Sequence, residues 1–240
     1  MEELLINYAK ELHINLNEDK VKKFLKYYEL LIEWNEKMNL TAITDYKDVV
    51  IKHFIDSISI VNIIDINGEN SLVDVGTGSG FPGIPLKIVF PSLKVVLVDS
   101  LDKRVKFLNH VIKELGLKDI TAIHARAEEF GQTKYREKFD FCVTRAVSNL
   151  SVISEYCLPL VKVGGYFIPY KSKEVENEIS EYEMAIEELG GVIDDVSMFT
   201  LPDSDIMRSL ILIYKDMNTP KKYPRRNGIP QKKPLRWLPL

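Results

Sequence analysis

Two carboxylates and three alternating glycines carry the chemistry this sequence offers most plainly: Asp74, Gly76, Gly78, Gly80 and Asp99. Four of them lie in the stretch SLVDVGTGSGFPG, residues 71–83. Alternating glycines let a chain turn tightly and present bare N–H groups to a ligand. Asp99, 23 residues beyond Gly76, is placed to accept both hydroxyls of a ribose. Asp74, separated from Gly76 by one residue, puts negative charge beside the loop. That suits a ligand end bearing an ammonium or sulfonium better than a phosphate, which wants bare N–H groups and a helix dipole. NAD, FAD, nucleotides and S-adenosylmethionine (SAM) all meet loops of this kind; Asp74 favours SAM. A βα turn whose glycines only relieve packing is the plain alternative.

The elements around these residues read as an open α/β sheet. Leu72, Val73 and Val75 form a short apolar run that stops at the glycines, as a buried parallel strand does. Pro82 and the apolar residues 84–89 then begin a helix. Residues 94–98 form a second strand ending at Asp99, 102–115 a helix stopped by Gly116, and 120–123 a third strand. Ala127 and Glu128, a small residue and a carboxylate after that strand, are placed to meet an adenine edge; a helix start with acidic residues on its dipole reads the same way. A fourth strand, 139–143, runs into Thr144 and Arg145, so Arg145 falls beside the ligand, with a surface salt bridge as its alternative role. A fifth strand follows Gly164-Gly165, then a helix stopped by Gly190-Gly191. Residues 192–201 and 208–214 are two strands with no helix between them, which predicts an antiparallel pair closing the sheet. Such a strand marks SAM-dependent methyltransferases and is absent from the usual NAD fold.

Residues 1–64 read as a helical cap. Asn17 caps a helix with Glu18 and Asp19 in its first turn and Val21, Phe24, Leu25, Tyr28, Leu31 and Ile32 on one face. Asp45 caps another, with Ile51, Phe54, Ile55 and Ile58 inward. His53 sits there near Asp56 and Ser57 and is expected to pack, since nothing pairs it with a nucleophile. Residues 65–217 form the SAM-binding domain and 218–240 a basic, proline-rich tail, packed on that domain or extending from it.

Hydrophobic residues are 45% and charged residues 28% of the 240, an ordinary globular balance. No apolar run is long enough to span a bilayer. The acidic start predicts no secretory signal, and Cys142 and Cys157 show no metal-type spacing. A cytoplasmic, reduced, metal-free monomer is expected. The net charge of −3 hides an asymmetry: residues 215–240 carry +7 and residues 1–214 carry −10. An acidic body with a basic tail predicts a polyanionic partner held by Lys221, Lys222, Arg225 and Arg226. In the competing picture Tyr223 and Trp237 pin the tail to the body and the charges are incidental.

WNEKMNLTAI (residues 34–43), KHFIDS (52–57), LVDVGTGSGFPGIPL, VDS (98–100), HARAEEF, the TRAV around Arg145 and NTPKKYPRR together resemble one family across nearly the whole chain: the bacterial 16S rRNA guanine-N7 methyltransferases, also called glucose-inhibited division protein B. The resemblance implies a class I SAM-dependent methyltransferase: a Rossmann-like, seven-stranded, mostly parallel sheet with an antiparallel C-terminal strand and an N-terminal helical cap. It implies SAM contacts at Gly76, Phe81, Ala127, Glu128 and Arg145. The implied product is a guanosine methylated at N7 in the decoding-region loop, made on 16S rRNA or an assembling small subunit. Guanine N7 has an in-plane lone pair and no proton, so attack on a sulfonium methyl needs no general base; Arg145 is the one candidate for a catalytic role. No nucleophile–base pair for carbon methylation is visible, and no Asn-Pro-Pro-aromatic sequence follows the fourth strand. A small-molecule methyltransferase with a dispensable tail, and a non-catalytic nucleotide-binding module or NAD enzyme, are the other readings.

Overall fold

The structure, a computed structural model, describes residues 2–66, 68–145, 148–172 and 175–236. Trp237, and Ala146 and Val147 of the TRAV stretch, lie outside them. Seven strands form one sheet: β1 (Ser71–Val75), β2 (Lys94–Asp99), β3 (Ile120–His124), β4 (Phe139–Arg145), β5 (Val161–Ser172), β6 (Gly191–Thr200) and β7 (Met207–Lys215). Their order is β3-β2-β1-β4-β5-β7-β6. The first five pair in parallel, while β7 runs antiparallel to both β5 and β6. The chain reverses its direction of travel across the sheet between β1 and β4. Ligands of doubly wound sheets bind beyond the strand ends at that point.

Side chains alternate across the sheet, and two apolar clusters cover its faces. Leu72 packs into one with Phe24, Tyr27, Phe54, Phe81 and Ile84, so the N-terminal helices share a core with the sheet. Val73 and Val75 pack into the other with Leu150, Tyr156, Ile186 and Tyr223. The helix Glu18–Met38 starts at Asn17, whose side chain accepts from the Lys20 N–H, and ends at Asn39 in the left-handed region. Trp34 packs against Phe107 and His110 as a core residue would.

One segment differs from its sequence-based description. Asp45 caps the expected helix, but its α-helical turn is only Tyr46–Val49, and Val50–Ile55 is a π-helix. The wider turn still buries Ile51, Phe54 and Ile55, and the α-helical turn after it, Asp56–Ile58, buries Ile58 together with Asp56 and Ser57. π-turns inside helices recur at functional sites. The described part of the C-terminal tail is docked. Tyr223 is buried, and Arg136 donates to the carbonyls of Thr219 at 2.7 Å and Tyr223 at 2.8 Å. Residues 229–232 make one helical turn. Among the described residues no helix is long and apolar enough to cross a membrane.

Candidate functional site

The loop after β1 is held from behind. Asp74 shares Leu72's face of β1 and is fully buried. Its Oδ2 accepts from the Thr77 hydroxyl at 2.6 Å and from the Gly83 N–H at 2.8 Å. Expected beside the ligand, Asp74 instead braces the loop and the helix start, and the cavity in front of the loop is lined by its neighbours. Gly80 also turns inward: a Cβ there would lie 2.5 Å from Ile84 and 2.6 Å from the Tyr27 hydroxyl. Gly80 therefore shapes the loop without lining the cavity. Tyr27 donates to the Ser79 carbonyl, and the Ser79 hydroxyl donates to the Leu40 carbonyl at 3.1 Å, so the helical cap clasps the loop.

Burial raises the Asp74 carboxyl from 3.8 to about 7, against the opposing pull of the Thr77 and Gly83 hydrogen bonds and the Arg145 charge. Oδ1 is buried without a partner. Because the folded-state value is raised, protonation favours folding; that contribution is in place below about pH 4 and is lost as the pH rises through 7. Asp74→Asn removes this loss. The variant's stability relative to the wild type should rise by about 3 kcal/mol between pH 5 and pH 8, the titrating span being worth ~1.4 kcal/mol per unit. Urea unfolding at the two pH values checks this; a constant difference would reject the assignment.

Asp99 ends β2 almost fully buried. Its Oδ2 accepts from the Gly78 N–H at 2.9 Å and its Oδ1 from the Leu101 N–H at 2.9 Å. Asp99 and Gly76 line two cavities, one of about 410 Å³ and one of about 160 Å³. Gly78 and Phe81 face the larger; Ala127 and Glu128 face the smaller. A third cavity of about 370 Å³ meets the larger one across His53 and Arg145, with Asp56, Thr144, Tyr170 and Arg208 on its walls. The three make one trough along the strand ends.

The junction was only partly legible in advance. Arg145 donates to Asp56 Oδ2 at 3.0 Å, to the Lys52 carbonyl at 3.1 Å and to His53 Nδ1 at 3.2 Å. Its guanidinium carbon lies 5.2 Å from the Phe81 ring. Arg208 donates from Nε to both Asp56 oxygens at 3.2 Å. His53 stacks on Phe81 at 4.5 Å, which fits the packing role expected of it, and it also walls both cavities. An arginine always donates, so Nδ1 accepts and the ring proton sits on Nε2, 3.0 Å from Thr41 Oγ1. Burial, reinforced by the Arg145 charge, lowers His53 from 6.5 to about 3, so the ring is neutral. The sequence does not mark Asp56 and Arg208 as site residues. Asp56 lies in KHFIDS, where a carboxylate directly after the apolar Phe54-Ile55 pair is the available signal; nothing local marks Arg208.

Glu128 lines the small cavity, and its Oε1 accepts from Tyr156 at 3.3 Å and from the Gly228 N–H at 3.1 Å, tying down the tail. One expectation is corrected. Arg225, grouped with the polyanion contacts, is engaged internally. It forks onto fully buried Glu155, with Nε to Oε1 at 2.9 Å and Nη2 to Oε2 at 2.6 Å. Lys222 pairs with Glu188 at 2.7 Å while staying largely exposed. Lys221 and Arg226 are exposed, and their side chains make no ion pair or hydrogen bond among the described residues. Cys142 and Cys157 are buried and unbridged. No cluster of described residues could hold a metal ion.

The profile of the family rRNA small subunit methyltransferase G (GidB) matches residues 20–207. The chain is 55% identical to the ribosomal RNA small subunit methyltransferase G of Acetivibrio thermocellus, over 98% of this chain and 97% of that one. It is 52% identical to the protein of the same name from Staphylococcus aureus, over 97% and 98%. Among solved structures it is similar to M. jannaschii TYW2 in complex with AdoMet (TM-score 0.53, 16% identity, 63% of this chain and 72% of that one). It is also similar to a SAM dependent methyltransferase from Aquifex aeolicus (TM-score 0.52, 17% identity, 70% and 93%). At those identities the likeness is one of fold.

Proposed function

The chain belongs to the rRNA small subunit methyltransferase G (GidB) family, and from that premise we propose that it transfers a methyl group from SAM to N7 of a guanosine in 16S rRNA. The trough carries the reading. Its small cavity suits an adenine, Asp99 a ribose and the glycine loop a methionine end. The third cavity, across His53 and Arg145, is large enough for a base. The fit of SAM is tested at Gly78, where a Cβ would meet nothing within 4 Å, so the loop backbone opens directly onto the cavity. Gly76, Gly78, Phe81, Asp99, Ala127 and Arg145 would hold the cofactor. Asp74, Gly80 and Glu128 would fix the walls that do so.

Bound SAM supplies an electrophilic methyl on a sulfonium. What these residues add is alignment, exclusion of water and charge placement. Among the described residues no free base stands in the acceptor cavity. His53 is neutral with its Nδ1 lone pair occupied, and Asp56 is engaged by two arginines. That arrangement suits a nucleophile with no proton to lose, as guanine N7 is. It suits poorly an amino group or a carbon centre. Guanine also carries the O6 acceptor next to N7, where adenine carries a donor; Arg145 and Arg208 line the cavity as donors. The direct test is to incubate the purified protein with SAM and 16S rRNA or small subunits, then identify nucleosides by mass spectrometry. N7-methylguanosine is expected. Methylation at another atom would overturn the N7 reading, and none on either substrate would favour a small-molecule acceptor.

The tail would meet RNA through its outward cations. Lys221→Ala with Arg226→Ala should raise the rRNA concentration needed and make the salt dependence shallower by up to about 1.4 in the log–log slope, at ~0.7 per single-strand phosphate contact. Binding titrations at several salt concentrations check this; an unchanged slope would mean that these charges touch no phosphate. Arg225 is left out because the fold uses it.

A further inference from the structure

Beyond Asp99 the trough narrows to the cavity of about 160 Å³, and its outer rim belongs to the C-terminal segment, not the sheet: Asn227 and Gln231 stand on it. The floor is apolar, with Val75, Val98 and Ala127. Glu128, which lines this cavity together with Asp99, holds the Gly228 N–H and the Tyr156 hydroxyl through Oε1. The backbone that carries the two carboxamides is anchored on both sides. Arg225 forks onto Glu155, Pro230 is buried, and the Lys232 N–H donates to the Gly228 carbonyl at 3.2 Å. Gly228, at φ 76°, permits the turn between them. Arg126 reaches Asn227 Oδ1 at 3.5 Å and leaves that side chain's N–H groups unused. The Gln231 carboxamide makes no hydrogen bond among the described residues, although it borders the cavity.

Adenine presents its N6 amino donor beside the N7 acceptor. A carboxamide matches that pair with one carbonyl and one N–H; hypoxanthine sets two acceptors, O6 and N7, on the same edge, so a carboxamide loses one bond in either rotamer, and a carboxylate offers no donor and repels the ring lone pairs. We propose that Gln231, assisted by Asn227, reads the adenine edge of the cofactor, so that the C-terminal segment is a working wall of the cofactor site. This rests on the reading of the trough as a SAM site. It assigns the edge to residues far from the strand end where sequence placed it.

The test uses the full chain and calorimetric titration with S-adenosylhomocysteine and with its inosine counterpart, in which the 6-amino group is a carbonyl. The wild type should prefer the adenine form by about tenfold or more, the order of one carboxamide–adenine pair. Gln231→Ala and Gln231→Glu should each lose about tenfold in affinity for the adenine form and most of the preference. Both side-chain changes are at an exposed position, and circular dichroism confirms folding. Variants with wild-type affinity and preference would overturn the assignment of Gln231 and leave the SAM reading standing. A wild type that binds neither compound would overturn the SAM reading itself.

Discussion

Gly78→Val should abolish SAM binding in a protein that still folds. Gly78 sits at φ +62°, and a Cβ there meets nothing within 4 Å. The first consequence is modest: a side-chain-bearing residue in the left-handed region costs about 1–2 kcal/mol. The second is large, because the branched side chain enters the space in front of the loop, where SAM would lie. A loss of at least about 100-fold in affinity, ~2.7 kcal/mol, is expected. Calorimetric titration with S-adenosylhomocysteine reads it, and circular dichroism reports the fold. Unchanged affinity in a folded variant would show that the loop is not the cofactor site. Gly83 provides the contrast. A Cβ there would lie 2.3 Å from Leu97 Cδ2 and 2.9 Å from Asp74 Oδ2. Gly83→Val should therefore fail in folding. Two glycines of one loop are needed for different reasons, one by the ligand and one by the sheet.

A large stability effect is also expected from a tail residue that looks like a surface cation. Glu155 is fully buried, and Arg225 forks onto it with side chain and backbone together. Removing one partner of a buried pair strands the other charge and costs about 3–5 kcal/mol. For a chain of this size, Arg225→Ala should lower Tm by roughly 10 °C. Arg225→Lys should recover little, since an ammonium cannot fork onto a carboxylate. Arg225→Met combined with Glu155→Leu should recover most of the loss, because no unpaired charge remains. Calorimetry of the four proteins checks the series. A Tm for Arg225→Ala within about 2 °C of the wild type, under 1 kcal/mol at this size, would mean that the tail is not docked in solution.

The legible and illegible parts of the molecule divide by sequence distance. The strand–loop–helix unit could be read because a buried parallel strand is a continuous apolar run and the glycines follow at once. The closing antiparallel pair could be read because no helix separates residues 200 and 207. The π-helix at Val50–Ile55 could not, since apolar spacing is judged against a 3.6-residue turn and both geometries bury Ile51, Phe54 and Ile55. The Asp56 cluster escaped because its arginines lie 89 and 152 residues away, in strands whose register only the folded sheet fixes. Net charge hid Arg225 as well. A +7 segment predicts a polyanion contact, but charge alone cannot distinguish a cation facing solvent from one facing Glu155.

The Tyr27 hydroxyl on the Ser79 carbonyl ties the helix Glu18–Met38 to the loop after β1 across 52 residues of sequence. The ring also stacks between Phe54 and Phe81, at 5.6 and 5.3 Å. A ligand that holds the loop therefore holds the helix, and the two should open as one unit. Saturation with S-adenosylhomocysteine at 100 times its dissociation constant adds ~2.7 kcal/mol to the unfolding free energy. Hydrogen exchange should report that gain at the amides around Tyr27 as strongly as at the loop. Tyr27→Phe should confine the slowing to the loop. Equal slowing in both proteins would show that ring packing alone transmits it.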